Sequence, residues 1–192
     1  HEATNKLHTV VTMVEMGRPD KAVTFAFDEL ELSQRLVDRL SEAVSEPALV
    51  ALLLGKAAQA DERGIEFTVT EDTQLPAGAD ELLLTGQEMV TVLGNLIDNA
   101  MDACDRAEPW VEVTVHQDAH RLLIRVADSG EGMDVNTFAQ AMTRGYSTKV
   151  GDDADRHGLG LALVAQVVNR HGGTLSADVT YGSVVTVTVP RR

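Results

Sequence analysis

Residues 87–106 read QEMVTVLGNLIDNAMDACDR, and their spacing decides the class of fold. Val90, Leu93, Ile97, Ala100 and Cys104 recur at helical intervals and predict a helix buried along one face. Asn95, Asn99 and Asp102 stand at i, i+4 and i+7 on another face, so three polar groups share one stripe. Amide and carboxylate oxygens are hard ligands suited to Mg²⁺ beside a polyphosphate, with waters completing the octahedron. A solvated helix face shows the same polar stripe. Around this helix the apolar period changes to two. Ile65, Phe67 and Val69 alternate before it; Val111, Val113 and Val115, then Leu122, Ile124 and Val126, and finally Val185, Val187 and Val189 alternate after it. A further helix is expected over Gly160 to His171, stopped by Gly172 and Gly173. Beyond about residue 60 the pattern predicts an α+β sandwich, one sheet with helices on one face.

Upstream of that point the chain is all helix. Ala3, Leu7, Val10, Val11 and Val14 recur at helical spacing, with His1, Asn5, His8 and Thr12 forming a polar stripe on the adjoining face. Gly17 to Asp20 break this helix. A second, Lys21 to Leu40, carries Val23, Ala26, Phe27, Leu30, Leu36, Val37 and Leu40, an apolar surface wider than one partner helix covers. Pairing with a second copy buries it, which predicts a homodimeric four-helix bundle. Folding back onto the following region is the other way to bury it. Pro47 suits the first position of a third helix running to about Arg63, with Gly64 closing it.

The 192 residues are 44% hydrophobic and 24% charged, which describes a folded soluble domain rather than a disordered or fibrous chain. Asp and Glu number 30 against 16 Lys and Arg, and the net charge of -14 repels nucleic acid and anionic lipid. No nucleic-acid partner is expected. The single cysteine, Cys104, has no internal disulfide partner, which suits a reducing compartment. The longest apolar runs, such as Ala48 to Leu54, fall far short of the roughly 20 residues a membrane span needs. The chain starts at His1 with neither an initiator methionine nor a signal-peptide pattern, so a longer parent protein is expected.

Three loops carry further chemistry. Asp128-Ser129-Gly130-Glu131-Gly132 follows a predicted strand; a carboxylate there can accept a hydrogen bond from an exocyclic amine, and the glycines let backbone approach a flat ring. The same residues also suit an ordinary turn. Gly158-Leu159-Gly160-Leu161 opens a helix whose N-terminal amides and dipole attract phosphate, so an acidic protein can still bind an acidic nucleotide. Thr143 to His157 is long and polar enough for a lid, from which Lys149 reaches a phosphate.

Taken in order, Asn95-x-x-x-Asn99, Asp128-x-Gly130-x-Gly132, the lid, Gly158-x-Gly160 and Gly182 to Thr186 resemble the ATP-binding domain shared by gyrase, chaperone, MutL and histidine kinase proteins, over residues 65–190. The resemblance implies that Asp128, flanked by Gly130 and Gly132, binds the adenine amino group with Thr186 nearby. It also implies that Asn99, as metal ligand, organises Mg²⁺ and the ATP phosphates with Asn95, and that the amides of Gly158 to Leu161 touch phosphate. Asp102 completes the stripe, and Phe138 looks like the family's small phenylalanine box. Where the ATPases and serine kinases of that superfamily carry a glutamate four residues before the asparagine, this chain has Asn95, so the nucleophile is to be activated elsewhere.

His1-Glu2-Ala3-Thr4-Asn5-Lys6-Leu7-His8 resembles the phosphoacceptor helix of sensor histidine kinases of the citrate- and dicarboxylate-sensing group, and Gly145 to Lys149 is similar to their lid. This implies a dimerisation and phosphotransfer hairpin over residues 1–45 and a catalytic ATP-binding domain over 46–192. In that scheme His1 attacks the γ-phosphate, Glu2 accepts the ring proton, and Asn5 positions a water or the carboxylates of a response regulator receiver domain docked on the hairpin. His8 is the alternative acceptor. A cytoplasmic location within a membrane-anchored sensor follows. Two rival readings are a conformational ATPase, disfavoured by Asn95, and a phosphotransfer scaffold, disfavoured by intact Asp128, Gly130, Gly132, Gly158 and Gly160.

Overall fold

The computed structural model describes residues 9, 11–14, 16, 18–76, 81–104, 107–133, 135–142, 160–179 and 182–191. Residues 11–14 are helical. Helix α1, Pro19–Ala43, opens with proline in its first turn and Asp20 beside the positive end of its dipole, and it extends the expected Lys21 to Leu40 at both ends. Val11, Val14 and Val23 are about half exposed. Leu40 and Val44, by contrast, are buried in the same core as the rest of the chain. The Leu75 N–H donates to the Ala43 carbonyl at 2.9 Å, and the Arg39 guanidinium bonds the Val69 carbonyl. The end of α1 is thus joined to the core of the segment that follows it.

Helix α2, Pro47–Glu62, begins with Pro47 and ends before Gly64, whose φ of +67° suits only glycine without strain. Strand β1, Glu66–Val69, then pairs in parallel with β2, Trp110–Gln117. Between them lies helix α3, Gly86–Ala103, started by a reciprocal capping box between Thr85 and Glu88. Leu93, Ile97 and Ala100 are buried as the spacing predicts, while Val90 and Cys104 are half-buried. Met89, Val92, Leu96 and Met101 are buried as well. The buried arc is wide because α3 packs against the sheet, α2 and α5 together.

Strand β3, Arg121–Asp128, returns antiparallel to β2 around Asp118, whose carboxylate accepts the His120 and Arg121 N–H groups at 2.7 and 2.9 Å. Those backbone donors hold its pKa below the usual aspartate value. Helix α4, Val135–Ala141, places Phe138 in the core. Helix α5, Gly160–Arg170, leads through Gly172, φ +68°, to β4, Thr174–Val179, and β5, Ser183–Pro190. The sheet order is β1-β2-β3-β5-β4, so the last strand inserts beside β3. Strand β4 escaped the period-two reading: it holds the sheet edge and interleaves Leu175 and Ala177 with Thr174, Ser176 and Asp178. Val111, Val113, Val115, Leu122, Ile124, Val126, Val187 and Val189 turn toward the helices, giving the expected sheet with helices on one face. Among the described residues no helix is long and apolar enough to cross a membrane.

Glu88 does more than cap α3. Its carboxylate meets His171 Nε2 at 2.9 Å and Arg170 at 3.5 Å, tying the start of α3 to the end of α5. Burial raises its pKa, but hydrogen bonds from His171 and the Thr85 N–H, with the His171 charge, outweigh this and leave it lowered. A lowered carboxylate contributes stability above its unfolded pKa and loses it as pH falls through the folded value. Urea midpoints measured from pH 7 to pH 3 should therefore fall less steeply on the acid side for Glu88→Gln than for wild type. Leu93, fully buried, should cost about 2–5 kcal/mol when cut to alanine, measured by urea denaturation at neutral pH.

Candidate functional site

A cleft of about 230 Å³ opens between the last turns of α3 and the ends of β3 and β5. Helix α3 contributes Leu96, Asn99, Ala100 and Ala103, and the sheet contributes Val126, Asp128, Ser183 and Val185. Glu131, Gly132 and Met133 close one side and Leu161 of α5 another. The walls are mostly apolar and the polar groups few, as in sites that take a flat ring system.

Asp128 ends β3 in phase with inward Leu122, Ile124 and Val126, and it is buried at 4% exposure. Its Oδ1 accepts the Gly130 N–H at 2.8 Å. Ser129 is locked from behind: its N–H donates to the Trp110 carbonyl at 3.0 Å and its Oγ accepts the Trp110 N–H at 3.2 Å. Glycine is required around this carboxylate by close approach. A Cβ on Gly130 would stand 2.7 Å from both the Ala103 carbonyl oxygen and Asp128 Oδ1, and one on Gly182 would collide with the Asp128 carbonyl oxygen. Gly132 has φ +78°, and a Cβ there would stand 2.6 Å from Val179 Cγ2.

The polar stripe of α3 divides. Asn99 lines the cleft. Asn95 donates through Nδ2 to the Thr91 carbonyl at 2.7 Å, which turns Oδ1 toward the start of α5, 2.9 Å from where a Cβ on Gly160 would lie. Asp102 belongs elsewhere, a correction to the expected three-residue stripe. It falls one turn after Asp98 in the row that faces α2, where Lys56 meets Asp98 at 2.6 Å and Arg63 meets Asp102 at 3.0 Å. Asp102 lines no part of the cleft.

Thr186 is a second correction. It pairs with Arg125 and Ser176 in mid-sheet, and the alternation that points Ser183, Val185 and Val187 toward the helices sends it to the opposite face. Ser183, directly opposite Asp128 in the β3–β5 register, is the hydroxyl in the cleft. The alternation of Val185, Val187 and Val189 already carried that signal. Glu131 and Met133 were also missed, since loop residues show no period. Phe138 is core and not cleft. Gly160 and Leu161 are buried at the start of α5, with Leu161 in the cleft wall. His1, Glu2, Asn5, Lys149, Gly158 and Leu159 lie outside the described residues.

The residues present suit Mg·ATP. A buried carboxylate at the base of an apolar slot accepts a base amine, and Asn99 and Asn95 offer hard amide oxygens near the N-terminus of α5. Among the described residues no group of three His, Cys, Asp or Glu side chains gathers to hold a metal ion.

Similar proteins point the same way. Over its whole length the chain is 32% identical to the sensor protein CitS of Halalkalibacterium halodurans and 30% identical to the sensor histidine kinase DpiB of Escherichia coli. It is 28% identical to a probable C4-dicarboxylate sensor kinase of Halalkalibacterium halodurans, again over its whole length. It spans 36%, 35% and 36% of these relatives respectively. Among solved structures, the mycobacterial sensor histidine kinase MprB matches with a TM-score of 0.56 at 24% identity, covering 75% of this chain and 95% of that one. The catalytic domain of histidine kinase ThkA matches with a TM-score of 0.57 at 21% identity, covering 74% and 93%. These two likenesses concern the fold. The family described as histidine kinase-, DNA gyrase B-, and HSP90-like ATPase matches residues 85–192, the segment that builds every wall of the cleft, and to that family this chain belongs.

Proposed function

We propose that this chain is the phosphotransfer and ATP-binding core of a two-component sensor histidine kinase. The observation that carries the reading is the buried Asp128 at the base of an apolar slot, surrounded by glycines that admit no side chain. Relatives named as a sensor histidine kinase and a probable C4-dicarboxylate sensor kinase, matching the chain from end to end, support it.

In this scheme the Asp128 carboxylate accepts the amino group of adenine, Ser183 adds a hydroxyl beside it, and Leu96, Val185 and Leu161 exclude water from the ring faces. Asn99 and Asn95 turn amide oxygens toward the phosphates, and the first amides of α5, with those of Gly158 and Leu159 that precede it in sequence, cradle them, while Lys149 of the Thr143 to His157 segment reaches a phosphate. Mg²⁺, when bound, neutralises phosphate charge and aligns the transferring group. Neutral His1 forms a P–N bond in line as the bond from the γ-phosphorus to the ADP oxygen breaks, and Glu2 takes the ring proton. Asn5 positions a water or a partner's carboxylate one helical turn away. The phosphoryl group then passes to an aspartate of a response regulator receiver domain docked on the hairpin.

The hairpin of residues 1–45 pairs with a second copy as a four-helix bundle; half-exposed Val11, Val14 and Val23 support that pairing. We place the core on the cytoplasmic side of a membrane-anchored sensor.

Incubation with γ-labelled Mg·ATP should give acid-labile label on the wild-type protein and none on His1→Gln or Asp128→Asn. Release of phosphate without labelled protein would instead indicate a conformational ATPase, and absence of nucleotide binding a scaffold. The corrected site has its own test by calorimetric titration with ADP. Ser183→Ala should weaken binding roughly 2- to 10-fold, the loss of one neutral hydrogen bond, while Thr186→Ala leaves it unchanged.

A further inference from the structure

We infer that Arg63, which touches no part of the cleft, is a positioning residue for nucleotide binding; the inference rests on the cleft being the nucleotide site. Its basis is how α3 ends. The last four carbonyls of a helix have no partner within it, and α3 has neither a left-handed glycine after its end nor a basic residue in its last turn. Cys104 instead follows in an extended conformation. Side chains satisfy two of these carbonyls. Cys104 Sγ reaches the Ala100 oxygen at 3.3 Å, and Arg63 Nη2 donates to the Met101 oxygen at 2.9 Å. The other arm of the same guanidinium, Nη1, holds Asp102 at 3.0 Å.

This fork grips the turn that forms one wall of the cleft. Asn99, Ala100 and Ala103 line it, and the Ala103 carbonyl lies so close to Gly130 that no Cβ fits between. Displacing the last turn of α3 therefore changes the gap to Asp128 and Gly130 directly. Arg63 is itself well anchored: it caps α2, and its N–H donates to the Ala60 carbonyl at 3.0 Å. The guanidinium is half exposed, so its ion pair with Asp102 adds little to global stability. Its consequence is local geometry. Lysine cannot reproduce it, because a single ammonium lacks the planar fork that serves two acceptors in fixed directions.

The test is calorimetric titration of ADP into wild type, Arg63→Met, Arg63→Lys and Lys56→Met, with thermal midpoints measured alongside. Lys56→Met removes the neighbouring α2–α3 ion pair to Asp98, and neither residue lines the cleft. Arg63→Met should raise the ADP Kd about 5- to 10-fold at a temperature well below its midpoint. Arg63→Lys should raise it about 2- to 5-fold, and Lys56→Met should leave it at the wild-type value. In phosphate incorporation, Arg63→Met should show a raised KM for ATP with kcat within about twofold, the signature of lost binding geometry rather than lost chemistry. If Arg63→Met does not fold, Arg63→Lys carries the test. Unchanged Kd in a folded Arg63 variant, or an equal rise in Lys56→Met, overturns the inference and leaves the nucleotide site standing. Failure of wild type to bind ADP overturns both.

Discussion

Strand β5 lies between β3 and β4, in the register that sets Ser183 opposite Asp128. Everything in the cleft depends on this crossover, because it brings the last strand of the chain against the carboxylate that ends β3. The approach is close enough for Gly182 to touch the Asp128 carbonyl, so the site tolerates no side chain at that point. Glycine at positions 132 and 182 thus follows from the strand order rather than from turn chemistry alone, and glycine at 130 from the close approach of the end of α3. The same order buries Asp128 under the ends of two paired strands, where a carboxylate is retained only if it is hydrogen-bonded. The Gly130 N–H provides one of those bonds.

Helix α3 is the second element on which the cleft rests. It carries the asparagines on one row and an aspartate row, Asp98 and Asp102, on the next, so one helix supplies a wall of the cleft and its own anchorage to α2 at once. Its two ends are held by groups distant in sequence: Glu88 with His171 and Arg170 at the start, and Arg63 at the finish. Because α5 is attached at the first of these and begins beside Asn95, the amide row and the start of α5 keep a fixed relation.

Much of this was legible beforehand for a simple reason: buried elements must repeat with their own period. The helices α2, α3 and α5 and the strands β1, β2, β3 and β5 alternate or recur clearly, and Pro47, Gly64 and Gly172 mark their ends. Strand β4 went unread although Leu175, Ala177 and Val179 alternate with polar residues, because this edge strand buries little and the run is short. Asp128 and Asn99 could be picked out because each stands at a predictable point of a periodic element. Asp102 could not be judged from spacing, whereas the alternation of Val185, Val187 and Val189 already set Thr186 on the other face. A row of a helix says which residues share a face, yet not which neighbour that face meets, and counting onward from Gly182 needs the strand phase that only Val185, Val187 and Val189 supply.

The sequence by itself determined the elements, the glycines between them, the carboxylate and amide chemistry and the family likeness, because these follow from local periodicity and residue type. The tertiary structure alone decided that Ser183 stands opposite Asp128 across β3 and β5, that Asp102 serves Arg63, and that the end of α1 packs into the same core as the sheet. Those outcomes turn on which faces meet across 30 or more residues of chain. Neighbouring rows of a helix and opposite faces of a strand differ by one position in sequence, and only packing chooses between them.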